Sequence, residues 1–201
     1  MLSIAQRGMS LWRSGQSIQR VELRVASMAI DRAAEQLCDG LTEQQLTWSP
    51  RPEKWSIVEN LAHLRITTEV FLPRVDSVLA ASRIQNLFSE GPFALSLYGR
   101  VIVSYLGPRP FIKLKAPSPI QPRLLASPVA ELQGFLESQR QLRQRIETAA
   151  GIHLTALRFP SPMVSCLRVN LLEFFFAVNA HARRHLRQAG CVRKALLRIA
   201  E

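Results

Sequence analysis

A chain of 201 residues, 47% of them hydrophobic, is long enough to fill one core and too short for two full domains. Its formal net charge of +11 permits attraction to phosphate, membrane surface or acidic substrates, yet the arginines are spread over several segments, as on solvated helix faces. Three cysteines, Cys38, Cys166 and Cys191, with no C-x-x-C spacing and no secretory signal ahead of them, fit a reducing cytoplasm and read as small buried apolar residues.

Residues 1–18 contain arginines and no acid before position 22, and read as an N-terminal extension ahead of one domain spanning 19–201. From about Gln19 to Leu41, Leu23, Ala26, Ile30, Ala33, Leu37 and Leu41 recur at steps of three and four, the period of one helix face. The stretch from Thr42 to Pro52 breaks that pattern. Trp48 and Trp55 bracket the break, where large rings pack over the end of a core. Ser56-Ile-Val-Glu59 is a capping box, so a second long helix begins here. Its apolar residues, Val58, Leu61, Ala62, Ile66, Val70 and Phe71, suit a helix with neighbours on more than one side. Pro73 removes a backbone donor and predicts a kink or restart near Glu69.

Phe93 to Leu106 reads as a short, mostly buried extra helix; it carries Arg100 and falls short of a membrane span. Gly107 to Pro128 is a proline-rich crossover expected to run extended over the surface. Ser127-Pro128 then places a capping serine before a proline at the first helical position. The third long helix follows, with Leu132, Phe135, Leu136, Leu142 and Ile146 inward and Gly151 at its end. Residues 152–169 read as a loop. Asn170 with Glu173 three residues on starts the last helix, and Gly190 is expected just past its end. Four long helices, a long crossover between the second and third and one short extra helix make an all-α four-helix bundle, with no run showing strand alternation.

The last helix carries the chemistry. His181 and His185 are four apart and project from the face that also holds Ala177 and Phe174, so two imidazoles lie on an apolar, inward stripe. His63, seven residues after the Ser56 cap, shares its face with Ile66 and Val70 and also points inward. Three unpartnered imidazoles in one core would cost several kcal/mol in unmet hydrogen bonds, a penalty that a shared divalent metal removes. Nearby polar groups are Glu59 and Asn60 on the second helix and Asn179 and Arg184 on the last. His153, between Ile152 and Leu154, reads as a surface or half-buried loop histidine.

The block Trp55-Ser-Ile-Val-Glu-Asn-Leu-Ala-His63-Leu, with Phe176-Ala-Val-Asn-Ala-His181-Ala-Arg-Arg-His185-Leu-Arg-Gln188 far downstream, resembles the DinB-like superfamily of damage-inducible, metal-binding four-helix bundles. The resemblance covers roughly Gln19 to Gln188 and takes in Lys113 to Pro117 of the crossover. It implies a divalent ion such as zinc or nickel on His63, His181 and His185, and activities that include bacillithiol- or mycothiol-dependent transfer, thiol-dependent isomerisation and metal-dependent hydrolysis.

The leading expectation is a metal-dependent thiol S-transferase or hydrolase acting on a small electrophilic molecule. In it, a bound water acidified toward pKa ~7, or a bound thiolate, is the nucleophile at His63, His181 and His185. Asn60 and Asn179 would orient imidazole N–H groups or substrate, Arg184 would clamp a substrate carboxylate, and Glu59 would assist from one turn before His63. A low-molecular-weight thiol is the expected co-substrate, the ion the cofactor, and a homodimer through exposed apolar surface one arrangement of the bundle. Two alternatives stand beside it. One is a non-catalytic bundle stapled by its ion; the other is a nucleic-acid binder using Arg183, Arg184, Arg187, Arg193, Lys194 and Arg198, which no recognised DNA- or RNA-binding motif supports.

Overall fold

A computed structural model describes residues 16–108, 115–162 and 166–200. The expected extension therefore lies outside the described residues up to position 15, as does part of the Lys113 to Pro117 stretch. Four long helices build an all-α bundle: α1 Gln16–Cys38, α3 Ile57–Ile84, α5 Pro128–Thr148 and α6 Leu171–Ala200. Between them lie the short α2 Glu43–Thr47, α4 Leu97–Leu106 and a single 3-10 turn at Ser118–Ile120. Packed neighbours run α1, α5, α3, α6 and back to α1, so the two helices consecutive in the chain, α1 and α3, sit diagonally. α3 and α5 run in the same direction, Arg65 pairing with Glu131 and Asp76 with Arg145, and so a long crossover is needed between them. It carries the chain from the end of α3 past α4, which lies on the outer face of α6, to the start of α5.

The caps fall where side-chain chemistry puts them. Ser56 Oγ accepts from the Glu59 amide while the Glu59 carboxylate accepts from the Ser56 amide, and Asn170 and Glu173 repeat the exchange at α6. Ser127 Oγ accepts from the Ala130 amide ahead of Pro128. The expected break at 42–52 contains its own capping box, Thr42 with Gln45, and hence the one-turn helix α2. α1 stops at Cys38 instead of Leu41 because Gly40 adopts φ +70°, a left-handed turn that ends the ladder.

Several expectations are corrected. α3 runs through Pro73 without a restart; Phe71, Leu72, Val75 and Leu79 on both sides are buried, and packing outweighs the missing amide. α6 likewise continues ten residues past Gly190 to Ala200, held by Ala189 and Val192 against Leu46, Ile57 and Val58. The extra helix starts at Leu97, capped by Ser96, and is not mostly buried: Leu97 is 80% and Val101 52% exposed. Its anchor is polar. Ser96 and Arg158 donate to the fully buried Glu173 carboxylate at 2.6 and 2.9 Å, and a Cβ on Gly99 would come 2.7 Å from Glu173 Cγ, so only glycine allows this approach. The loop before α6 holds two three-residue antiparallel strands, β1 Arg158–Pro160 and β2 Arg168–Asn170, too short to show alternation in sequence.

The core is layered along the bundle. One cluster packs Leu23, Val75, Leu79, Leu142, Ile146, Leu172 and Phe175; a middle one packs Ile30, Ala34, Leu61, Leu64, Phe135, Ala182 and Leu186. Cysteine expectations also change: Cys166 and Cys191 are exposed, while burial pushes the half-buried Cys38 thiol up to about 11, with Arg193 pulling the other way. Among the described residues, no helix is long and apolar enough to cross a membrane.

Candidate metal centre

His63, His181 and His185 meet inside the bundle, level with the middle core cluster. Each offers one ring nitrogen, and these atoms all lie within 4.8 Å of one another. His63 Nε2 is 3.2 Å from His181 Nε2, although the two residues are 118 apart in sequence. The three ring centroids are mutually 4.4 to 5.0 Å apart. Leu61 and Leu64 around His63, and Ala182 and Leu186 around the other pair, are core residues, so the helix faces that bury the core also aim the rings.

Two of the three outer nitrogens are held by specific partners. His63 Nδ1–H donates to the Ile120 carbonyl at 2.6 Å, and because a carbonyl can only accept, His63 Nε2 is left with a free lone pair pointing inward. His185 Nδ1 is 3.0 Å from Asn60 Oδ1. The Asn60 amide is itself oriented by Nδ2 donating to the Ser56 carbonyl at 2.8 Å, so Oδ1 must face the ring and accept. His185 is thereby also Nδ1-protonated. Trp55 closes one side, its ring 4.8 Å from His63 and 5.7 Å from His185, stacked on the latter.

All three rings are kept neutral. Burial is the largest cause of the lowered pKa for each; at His181 it carries the value to about 3, with His63 and Arg184 adding to it, and His185 also lies well below its usual value. His63 is lowered too, against the pull of its Ile120 bond. No carboxylate figures among the causes acting on any of them. Among the described residues no Asp, Glu or Cys joins the three.

The fit to a divalent ion rests on this donor set. An ion bound at about 2.0–2.1 Å to imidazole nitrogens in tetrahedral geometry needs those nitrogens roughly 3.3 Å apart. The His63 and His181 pair already meets that, and the inward lone pair of His63 faces another imidazole nitrogen with no carboxylate or thiol joining the three among the described residues.

The remaining expected residues fall out as follows. Asn60 orients His185, as its spacing suggested. Asn179 does not orient a ring: its amide oxygen and nitrogen are both buried without a partner. Glu59 places one carboxylate oxygen 2.7 Å from the Ser56 amide, at the helix start. Arg184 donates weakly from Nη1 to the Tyr105 carbonyl at 3.4 Å, and its Nε is buried and unpartnered. Of the basic C-terminal set, Arg193 is engaged with the Gln36 and Leu37 carbonyls at the end of α1. His153 is half-buried, its ring 5.0 Å from Phe93.

Two contributors escaped the sequence. The Ile120 carbonyl comes from the crossover and has no residue signature. Trp55 was visible as a ring beside the cap, yet it packs on the histidines and not merely over a core end.

A second polar centre lies two residues along α3. Arg65 Nε is 2.7 Å from Glu131 Oε1, Glu131 is fully buried, and Glu69 pairs with Arg65 Nη1 at 3.0 Å. The same two side chains clasp the crossover: Arg65 donates to the Arg123 carbonyl and Glu131 accepts from the Leu125 amide, both at 3.0 Å. Gly134 makes room, since a Cβ there would meet Arg65 Cδ at 3.0 Å and Leu125 Cδ1 at 2.9 Å. The clasp fixes the segment that delivers the Ile120 carbonyl.

Set beside known proteins, the chain matches the sequence description of the DinB superfamily over residues 29–189. No curated protein and no solved structure matches it.

Proposed function

The chain belongs to the DinB superfamily, and on that premise we propose that it is a metal-dependent enzyme, a thiol S-transferase or a hydrolase acting on a small electrophilic molecule. The observation that carries the reading is the convergence of three neutral imidazole nitrogens, with the outer nitrogens of His63 and His185 already fixed. His63, His181 and His185 would hold the ion. A divalent ion on three neutral ligands keeps its full double charge and acidifies whatever water or thiol takes its open position.

The chain's own residues supply the rest. Asn60 and the Ile120 carbonyl orient His185 and His63, Trp55 excludes water from the side of those two rings, and the apolar layer beneath keeps the local dielectric low. Imidazole nitrogens suit zinc, nickel, copper and iron, and of these zinc and nickel are the ions the family resemblance implies.

The test begins with elemental analysis of protein purified without a nickel column, and continues with a panel of low-molecular-weight thiols and electrophiles, with and without a chelator. About one equivalent of metal and chelator-sensitive turnover support the reading. If chelation lowers only the melting temperature and no thiol or hydrolysable substrate turns over, the ion is a staple and the enzymatic reading fails.

A further inference from the structure

The histidine centre has no negative charge to set against an ion. Its ligands are uncharged, no carboxylate or thiol joins them among the described residues, and the permanent charge that acts on them is another cation, Arg184. Arg184 lies one turn beyond His181 and beside His185 on α6, and its charge acts on all three rings. It has no acidic partner among the described residues: Nη1 makes one contact of 3.4 Å to the Tyr105 carbonyl, and Nε is buried with none. Compare Arg65 on α3, which is likewise drawn inward but meets two carboxylates. A guanidinium is a fork with five donors and cannot lose its proton, so a half-buried one beside a divalent ion is unfavourable until an anion arrives.

We propose, building on the metal-enzyme reading above, that this centre selects an anionic ligand, a thiol or electrophile bearing a carboxylate or comparable oxyanion, which the Arg184 guanidinium receives while the rest of the molecule faces the three histidines. Arg184 stands at the side where the cluster nears solvent: His181, its neighbour one turn away, is 9% exposed against 2% for His63. The unpartnered Nε lies on one edge of the guanidinium beside Nη2, an edge whose two parallel N–H directions can take a carboxylate bidentately.

The experiment uses full-length protein loaded with Co2+, whose absorption reports a ligand entering at the ion, titrated in parallel with mercaptoacetate and the neutral 2-mercaptoethanol. Mercaptoacetate is expected to bind about 10- to 100-fold more tightly, the worth of a charge-assisted pair. Arg184→Gln erases that ratio while binding Co2+ as the parent does, and Arg184→Lys keeps part of it. Equal affinity for the two thiols, or a ratio that survives in Arg184→Gln, overturns the proposal. Should the parent bind no Co2+, the metal reading itself falls. The anion site is then read in metal-free protein from the Arg184 Nε–H resonance, whose failure to shift on adding acetate overturns it separately.

Discussion

Two polar centres are buried along one helix, two residues apart, and they are built to opposite specifications. At Arg65 every group is answered: two carboxylates, a carbonyl and an amide close the set, and the centre ties α3, α5 and the crossover together. At His63 the outer nitrogens of two rings are answered, while on the inner face three ring nitrogens converge with no charged group among the described residues to meet them. A fold stabilises itself with the first kind of arrangement and acts with the second.

The sharpest break of that contrast is removal of a ligand. His63→Ala or His181→Ala is expected to abolish stoichiometric metal, read by elemental analysis, while leaving the helical circular dichroism spectrum in place. At the other centre, Glu131→Ala removes the buried carboxylate and leaves Arg65 with only the half-exposed Glu69 as counter-charge, which is expected to cost about 3 kcal/mol in denaturant unfolding, with metal content less affected than stability. The third test uses pH. The histidines' folded pKa values lie below the unfolded value of about 6.5, so their native forms stay neutral while the unfolded chain takes up protons. Metal-free protein should therefore hold full stability above that pH and lose up to about 1.4 kcal/mol per pH unit for each ring as pH falls below it. His181→Gln should flatten the slope of melting temperature against pH.

Smaller effects sharpen the comparison within each centre. Asn60→Ala removes the group that orients His185 and is expected to weaken metal binding about 10- to 100-fold by competition titration, without abolishing it. Gly190→Ala, in the interior of α6 and with only ordinary contact to Leu37 at 3.7 Å, should raise stability by roughly 0.5–1 kcal/mol. Gly99→Ala should do the reverse, because the added methyl meets Glu173.

Much of this was legible in the chain because it is written in local chemistry. Serine or asparagine three residues before glutamate marks the start of α3 and α6, and the four-residue interval between His181 and His185 is a statement about one helix face. What was not legible depends on neighbours distant in sequence. Whether α3 survives Pro73, or α6 passes Gly190, is decided by what packs on them, and propensity gives way there. The exposure of Leu97 and Val101 could not be read from apolarity, since a run of apolar residues looks the same facing a core or facing water. The Ile120 carbonyl is the clearest omission: every residue has one, and only the path of the crossover selects this one.

The arrangement of ligands also orders events in time. One imidazole emerges from synthesis with α3, and its two companions belong to α6, more than a hundred residues later. A nascent chain thus carries only one of the three imidazoles until its final helix docks, so any ion the three would hold could be taken up only after assembly and could not guide it.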